Sequence, residues 1–128
     1  MRIVRKEDIA KPFFAPLGER IYELIGSPLE LGRTVHHSLV HVVLPPGKSS
    51  PAHYHKVSEE TYYVLSGRAH MIINGSKFEL LPRQACLIMP GETHQIFNDQ
   101  DVDLEFLAVS APAWTPKDSY ERKGGKDG

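Results

Sequence analysis

The chain has 128 residues, 41% of them hydrophobic, a formal net charge of -1, ten glycines, ten prolines and one cysteine. That length suits one domain with its own core, and the near-neutral charge gives no reason to expect nucleic acid or an anionic membrane as a partner. Cys86 alone cannot form an internal disulfide, no apolar run reaches the roughly 20 residues of a membrane-crossing helix, and the charged opening at residues 1–9 argues against a signal peptide and for a cytoplasmic home.

In chain order, residues 3–5 read as a short strand. Pro12 and Pro16 then disfavour helix and predict an extended arm carrying Phe13 and Phe14. Residues 20–25 read as a strand ended by Gly26-Ser27-Pro28. Residues 34–44 read as a longer strand that stops at Pro45-Pro46-Gly47. That strand carries His36, His37 and His41, with His37 and His41 on one face and His36 on the other. Which face looks inward stays open, and any one of the three is a candidate acid–base group. From Glu60 the run Thr61-Tyr62-Tyr63-Val64-Leu65 is β-branched and aromatic, so it reads as a strand. Glu60, Tyr62 and Val64 share one face of it; Tyr63 and Leu65 share the other.

Residues 68–80 form the clearest hairpin signal. Asn74-Gly75 is a preferred two-residue loop, and it sets Ile73 opposite Ser76, Met71 opposite Phe78 and His70 opposite Glu79. His70 and Glu79 are then a cross-strand charge pair. Residues 86–89, 94–98 and 103–110 read as three further strands. Cys86, in an apolar run, reads as a small buried hydrophobe rather than a nucleophile. Beyond Trp114 the composition is charged and glycine-rich, and residues 115–128 are expected to form a disordered tail. Strands at short spacing with turns between them, and no long helical pattern, indicate an all-β sandwich or barrel.

Chemistry concentrates in two stretches. Between Gly47 and Gly67 lie His53, His55 and Glu60; between Pro90 and Asn98 lies His94. Alternation in an extended segment points His53 and His55 the same way, and Glu60 at the head of the next strand can face back toward them. Three histidines and a carboxylate suit a divalent transition metal such as iron, manganese, nickel or zinc.

These two stretches resemble the paired motifs of the cupin superfamily. Gly47, His53, His55, Glu60 and Gly67 match every fixed position of the first, and Gly91, His94 and Asn98 match the second. Arg83 stands where a glycine is expected, and Met89 where a proline is expected, with Pro90 one place later. The resemblance implies a double-stranded β-helix, a jelly-roll-like cupin barrel, over residues 1–114 with its core motifs at 47–98. It implies one metal held by His53, His55, Glu60 and His94, with two coordination places left open for water, dioxygen or a chelating substrate. It also supports a homodimer, to which the outer face of the Glu60 strand would contribute together with Phe13 and Phe14, two apolar side chains that either dock on the second subunit, lid a pocket or cover the chain's own barrel.

Parity suggests pocket walls from Val64 and Ile96, and the final strand of a cupin would add Phe106, Ala108 and Ser110. Tyr62 and a loosened Glu60 are the candidate catalytic groups. No arginine takes a clearly inward position, which disfavours an oxalate-type substrate. The expected function is a metal-dependent dioxygenase, or an isomerase or lyase acting through an enolate, on a small oxygenated molecule. The alternative is a non-catalytic module that binds or senses a small ligand.

Overall fold

In the computed structural model, residues 1–122 are described. Eleven strands run in chain order: β1 (Phe13–Phe14), β2 (Arg20–Ile25), β3 (Ser38–Leu44), β4 (His53–Tyr54), β5 (Glu59–Ser66), β6 (Ala69–Ile73), β7 (Ser76–Leu80), β8 (Ala85–Ile88), β9 (His94–Phe97), β10 (Leu104–Ala111) and β11 (Tyr120–Glu121). They form a six-stranded sheet ordered β1-β2-β3-β10-β5-β8 and a five-stranded sheet ordered β11-β4-β9-β6-β7. All strand pairs are antiparallel. This is the double-stranded β-helix, all-β as expected, and among the described residues no helix is long and apolar enough to cross a membrane.

Alternation decides which side chains enter the barrel. Along β10, Leu104, Phe106, Ala108 and Ser110 are buried, while Val109 is exposed between them. Along β5, Glu60, Tyr62 and Val64 are buried, and Tyr63 and Leu65 face out. Both strands obey the two-residue period of a sheet with one face in a core. Leu44, Met71, Ile88 and Ile96 close the core from the other strands.

The hairpin has the predicted register, with Ile73 opposite Ser76, Met71 opposite Phe78 and His70 opposite Glu79. Asn74 and Gly75 both take positive φ, as a two-residue turn between twisted strands requires. Arg83, where the resemblance calls for glycine, also takes a positive φ of 67°. The turn therefore keeps its geometry and the arginine carries the strain. Asn98 locks the two motifs together. Its Nδ2 donates to Leu44 O and Val102 O, both at 2.8 Å, and its backbone carbonyl accepts from Gly47 N at 2.8 Å.

Three expectations need correction. Residues 3–5 are not a strand; a 3-10 turn at Lys6–Asp8 follows them, held by the Arg5–Asp8 ion pair. Phe13 and Phe14 are extended as expected, but they belong to the six-stranded sheet rather than to an arm, pairing with β2 at its edge. The third strand begins at Ser38, not Thr34, because the segment after β10 crosses there: Ala113 N donates to Val35 O and Trp114 N to Ser38 Oγ.

The expected disorder from residue 115 is also absent as far as residue 122. Pro116–Asp118 forms a 3-10 turn, and β11 pairs with β4. Tyr120 stacks on Tyr54 with ring centroids 5.2 Å apart, and Lys56 and Arg122 lie over those two rings. The charged composition of this segment hid the aromatic and cation–π contacts that fix it. Residues 123–128 of the expected tail lie outside the described residues.

Candidate metal centre

The pairing of β4 with β9 sets His53 directly opposite His94. Their rings lie 4.2 Å apart between centroids. His55 follows β4 by one residue, and its ring is 5.2 Å from His53 and 5.5 Å from His94. Glu60 enters from the other sheet, near the start of β5. The structure thus brings together all four residues expected as ligands, and one ligand atom from each falls within 4.8 Å of the others.

Backbone carbonyls orient the three rings. His53 Nδ1 bonds Pro51 O at 2.8 Å, His55 Nδ1 bonds Asp118 O at 2.8 Å, and His94 Nδ1 bonds Glu92 O at 3.0 Å. A carbonyl can only accept, so each Nδ1 carries the proton and each neutral ring turns the lone pair of Nε2 to the centre. His94 Nε2 lies 3.1 Å from Glu60 Oε1, while His55 Nε2 lies 3.4 Å from that oxygen and is buried without a hydrogen-bond partner. Lone pairs facing a buried carboxylate need a cation between them. A divalent ion meets that need, so the residues present fit a metal.

Titration follows the same geometry. Burial, then the neighbouring His94, pulls His53 down to about 4, so it stays neutral and ligand-competent at neutral pH. Burial also opposes charge on His55, but the Glu60 carboxylate outweighs it and raises that group. For Glu60, burial opposes ionisation, yet the neighbouring His55 and His94 outweigh it and hold the carboxyl well below its usual range.

Asp118 ties the chain end to this centre. Besides accepting from His55, it offers its carboxylate to the N–H groups of Lys56, Val57 and Ser58, at 2.8 to 3.2 Å. Burial would raise its pKa, but those N–H bonds lower it overall. Sequence reasoning missed this residue, because its role depends on a fold-back of about 60 positions.

A cavity of about 700 Å³ opens onto the centre. Tyr62, Phe106, Ala108 and Ser110 line it, with His53, His55 and Glu60. Val64 and Ile96 do not line it; both are wholly buried in the core behind it. His36 and His37 are exposed outside the strands, and His41 faces outward to Glu105 at 2.8 Å, so none of the three reaches the cavity. Cys86 packs against the core from β8 and stays away from the centre.

Two cavity groups went unrecognised in the sequence. Glu19, just before β2, and Glu23 within it share the inward parity of Ile21. Burial, then Glu60, pushes the Glu19 carboxyl up to about 7, and burial raises Glu23 as well. The alternation Glu19, Ile21, Glu23 was visible; what the sequence did not supply was which face of that strand turns in.

Comparison with known proteins adds relatives. The cupin domain family model matches residues 40–110. The chain is 34% identical over 120 residues to an uncharacterized protein of Methanocaldococcus jannaschii, covering 93% of this chain and 94% of that one. It is 41% identical over 66 residues to an oxalate-binding protein of Thermotoga maritima, covering 52% of this chain and 54% of that one. A solved structure from Klebsiella pneumoniae, an uncharacterized protein with a double-stranded β-helix domain, superposes with a TM-score of 0.74 at 21% identity. That alignment covers 94% of this chain and 90% of the other.

Two outcomes follow from this geometry. Asp118→Ala should weaken binding of a divalent metal by about 10- to 100-fold, because the His55 ring loses its anchored partner segment. Competition against a chromophoric chelator reads this out, and unchanged affinity would contradict the role of Asp118. Glu19 gains a pKa on folding, from 4.5 to about 7, so its protonated form favours the folded state and the advantage disappears as pH rises through that window. In metal-stripped protein, Glu19→Gln should therefore be no more stable than wild type at low pH and more stable, by about 1–3 kcal/mol, above neutrality. Thermal unfolding across pH tests this, and a difference that stays flat would contradict it.

Proposed function

The chain belongs to the cupin family, and from that premise we propose that it is a metal-dependent enzyme acting on a small oxygenated organic molecule, either a dioxygenase or an isomerase or lyase working through an enolate. The observation that carries this reading is the about 700 Å³ cavity opening onto four convergent ligand atoms, one of them the unpartnered His55 Nε2. When bound, a divalent ion such as iron, manganese, nickel or zinc supplies Lewis-acid charge and open coordination places.

The chain's own residues prepare the rest. Ser110 Oγ donates to Glu60 Oε2 at 3.1 Å and steadies the carboxylate. Tyr62 packs edge-on to His94 at 5.9 Å and against Phe106 at 4.9 Å, which fixes the ring beside the centre. Burial and the nearby Glu60 raise the Tyr62 phenol well above its ordinary value, so it remains a hydrogen-bond donor to a substrate oxygen. Phe106 and Ala108 provide an apolar wall that excludes water.

A homodimer in the cytoplasm is part of the same proposal. Phe13 and Phe14 are 61% and 65% exposed, and Tyr63 and Leu65 stand on the outer face of β5, so a second copy has apolar surface to cover. A binding role without catalysis is the second reading, favoured by the Thermotoga maritima relative named for oxalate binding.

The test is a turnover screen of hydroxy-, keto- and diketo-acids, catechols and sugars, run with iron, manganese, nickel and zinc forms. A metal-loaded form should turn over at least one compound, and metal-stripped protein should not. Tyr62→Phe should retain metal and lose about tenfold or more in kcat. Equal turnover by stripped protein would overturn the reading, and tight binding with no turnover in any form would leave the binding role in its place.

A further inference from the structure

The cavity is asymmetric in chemistry. At one flank of the six-stranded sheet stand Glu60 and Ser110, on β5 and β10. The middle is an apolar strip made by Val40 and Val42 of β3 with Phe106 and Ala108 of β10. At the other flank stand Glu19 and Glu23, with Ile21 between them. Among the described residues, neither carboxylate side chain has a hydrogen-bond or ion-pair partner, although Glu19 is largely buried and Glu23 half-buried. An unpartnered carboxylate in such a place is costly. A ligand that brings a donor removes that cost.

The remaining charges leave little to hold an anion at that flank. Among the described residues, Lys11 is the single lysine lining the cavity and is exposed, no arginine lines it, and Glu121 adds a further exposed carboxylate. His53, His55 and Glu60 are directed to the metal centre, whose buried and unpartnered His55 Nε2 marks the other end of the ligand site.

Resting on the chelating role proposed above, we infer that the cup selects a molecule that binds the metal centre through oxygen at one end, spans the apolar strip, and presents a neutral or cationic hydrogen-bond donor to Glu19 and Glu23 at the other. It discriminates against ligands whose remote end is a carboxylate. Glu19 and Glu23 are thus specificity-determining residues: they accept from a hydroxyl or ammonium group and repel an anion.

Dopamine and dihydrocaffeate test this directly. Both carry the same catechol, and they differ in bearing an ammonium or a carboxylate at the remote end. Calorimetric titration into Ni(II)-loaded protein should give dopamine at least about tenfold tighter binding than dihydrocaffeate. The double substitution Glu19→Gln and Glu23→Gln should shrink that ratio to about threefold or less. Equal affinities in wild type, or a preference for dihydrocaffeate, would overturn charge selection while leaving chelation intact. So would a ratio that the double substitution does not change. If neither catechol binds protein that holds its nickel, the chelating reading fails and this inference falls with it. Should the double variant not fold, the wild-type ratio alone decides.

Discussion

Three hydrogen bonds from imidazole Nδ1 to backbone carbonyls constrain everything else at the centre of this barrel. The acceptors are Pro51, Glu92 and Asp118, each in a segment outside the regular strands. Because a carbonyl has no proton to give, these bonds settle the tautomer of each neutral ring and aim its Nε2 at a common point. Glu60 then closes the set from the opposite sheet. Lone pairs and a carboxylate pressed together in a buried place are unstable by themselves, and a divalent cation converts that repulsion into binding.

The fold supplies the constraint cheaply for two ligands and at long range for the others. His53 and His94 are neighbours by strand register alone, while Glu60 reaches the centre because Ser110, Ala108 and Phe106 fix β5 beside β10. His55 is held least directly. Its partner carbonyl belongs to Asp118, whose carboxylate in turn gathers three backbone N–H groups of the loop that follows His55. The Pro116–Asp118 turn is therefore part of the site. Its contribution is to give that ring one orientation instead of several. The same cavity holds Glu19 largely buried and Glu23 half-buried, both unpaired among the described residues, a destabilising arrangement of the kind found where function and stability compete.

Much of this was legible because it is local. His53, His55 and Glu60 follow from strand alternation around a short loop, and the Asn74-Gly75 turn fixes the hairpin register without help from the rest of the chain. Parity along the Glu60 strand pointed to Tyr62, and the cupin resemblance pointed to Phe106, Ala108 and Ser110; all four line the cavity. Parity fails where depth matters. Val64 and Ile96 point inward but lie behind the cavity, and no two-residue period separates core from cavity wall. It also fails where the inward face is unknown, which hid Glu19 and Glu23 on β2 and left His36, His37 and His41 open. Asp118 was illegible for a third reason: a charged, glycine-rich segment reads as solvated until the stack of Tyr120 on Tyr54 is seen.

The central claim is that His53, His55, Glu60 and His94 together hold one divalent ion through three Nε2 atoms and a carboxylate. X-ray absorption on protein loaded with a single equivalent of nickel or zinc tests it most directly. The account predicts one retained ion per chain, a first shell of nitrogen and oxygen at about 2.0–2.2 Å, and outer-shell scattering from three imidazoles. A sulfur neighbour, fewer than two imidazoles, or loss of the ion on desalting would contradict it.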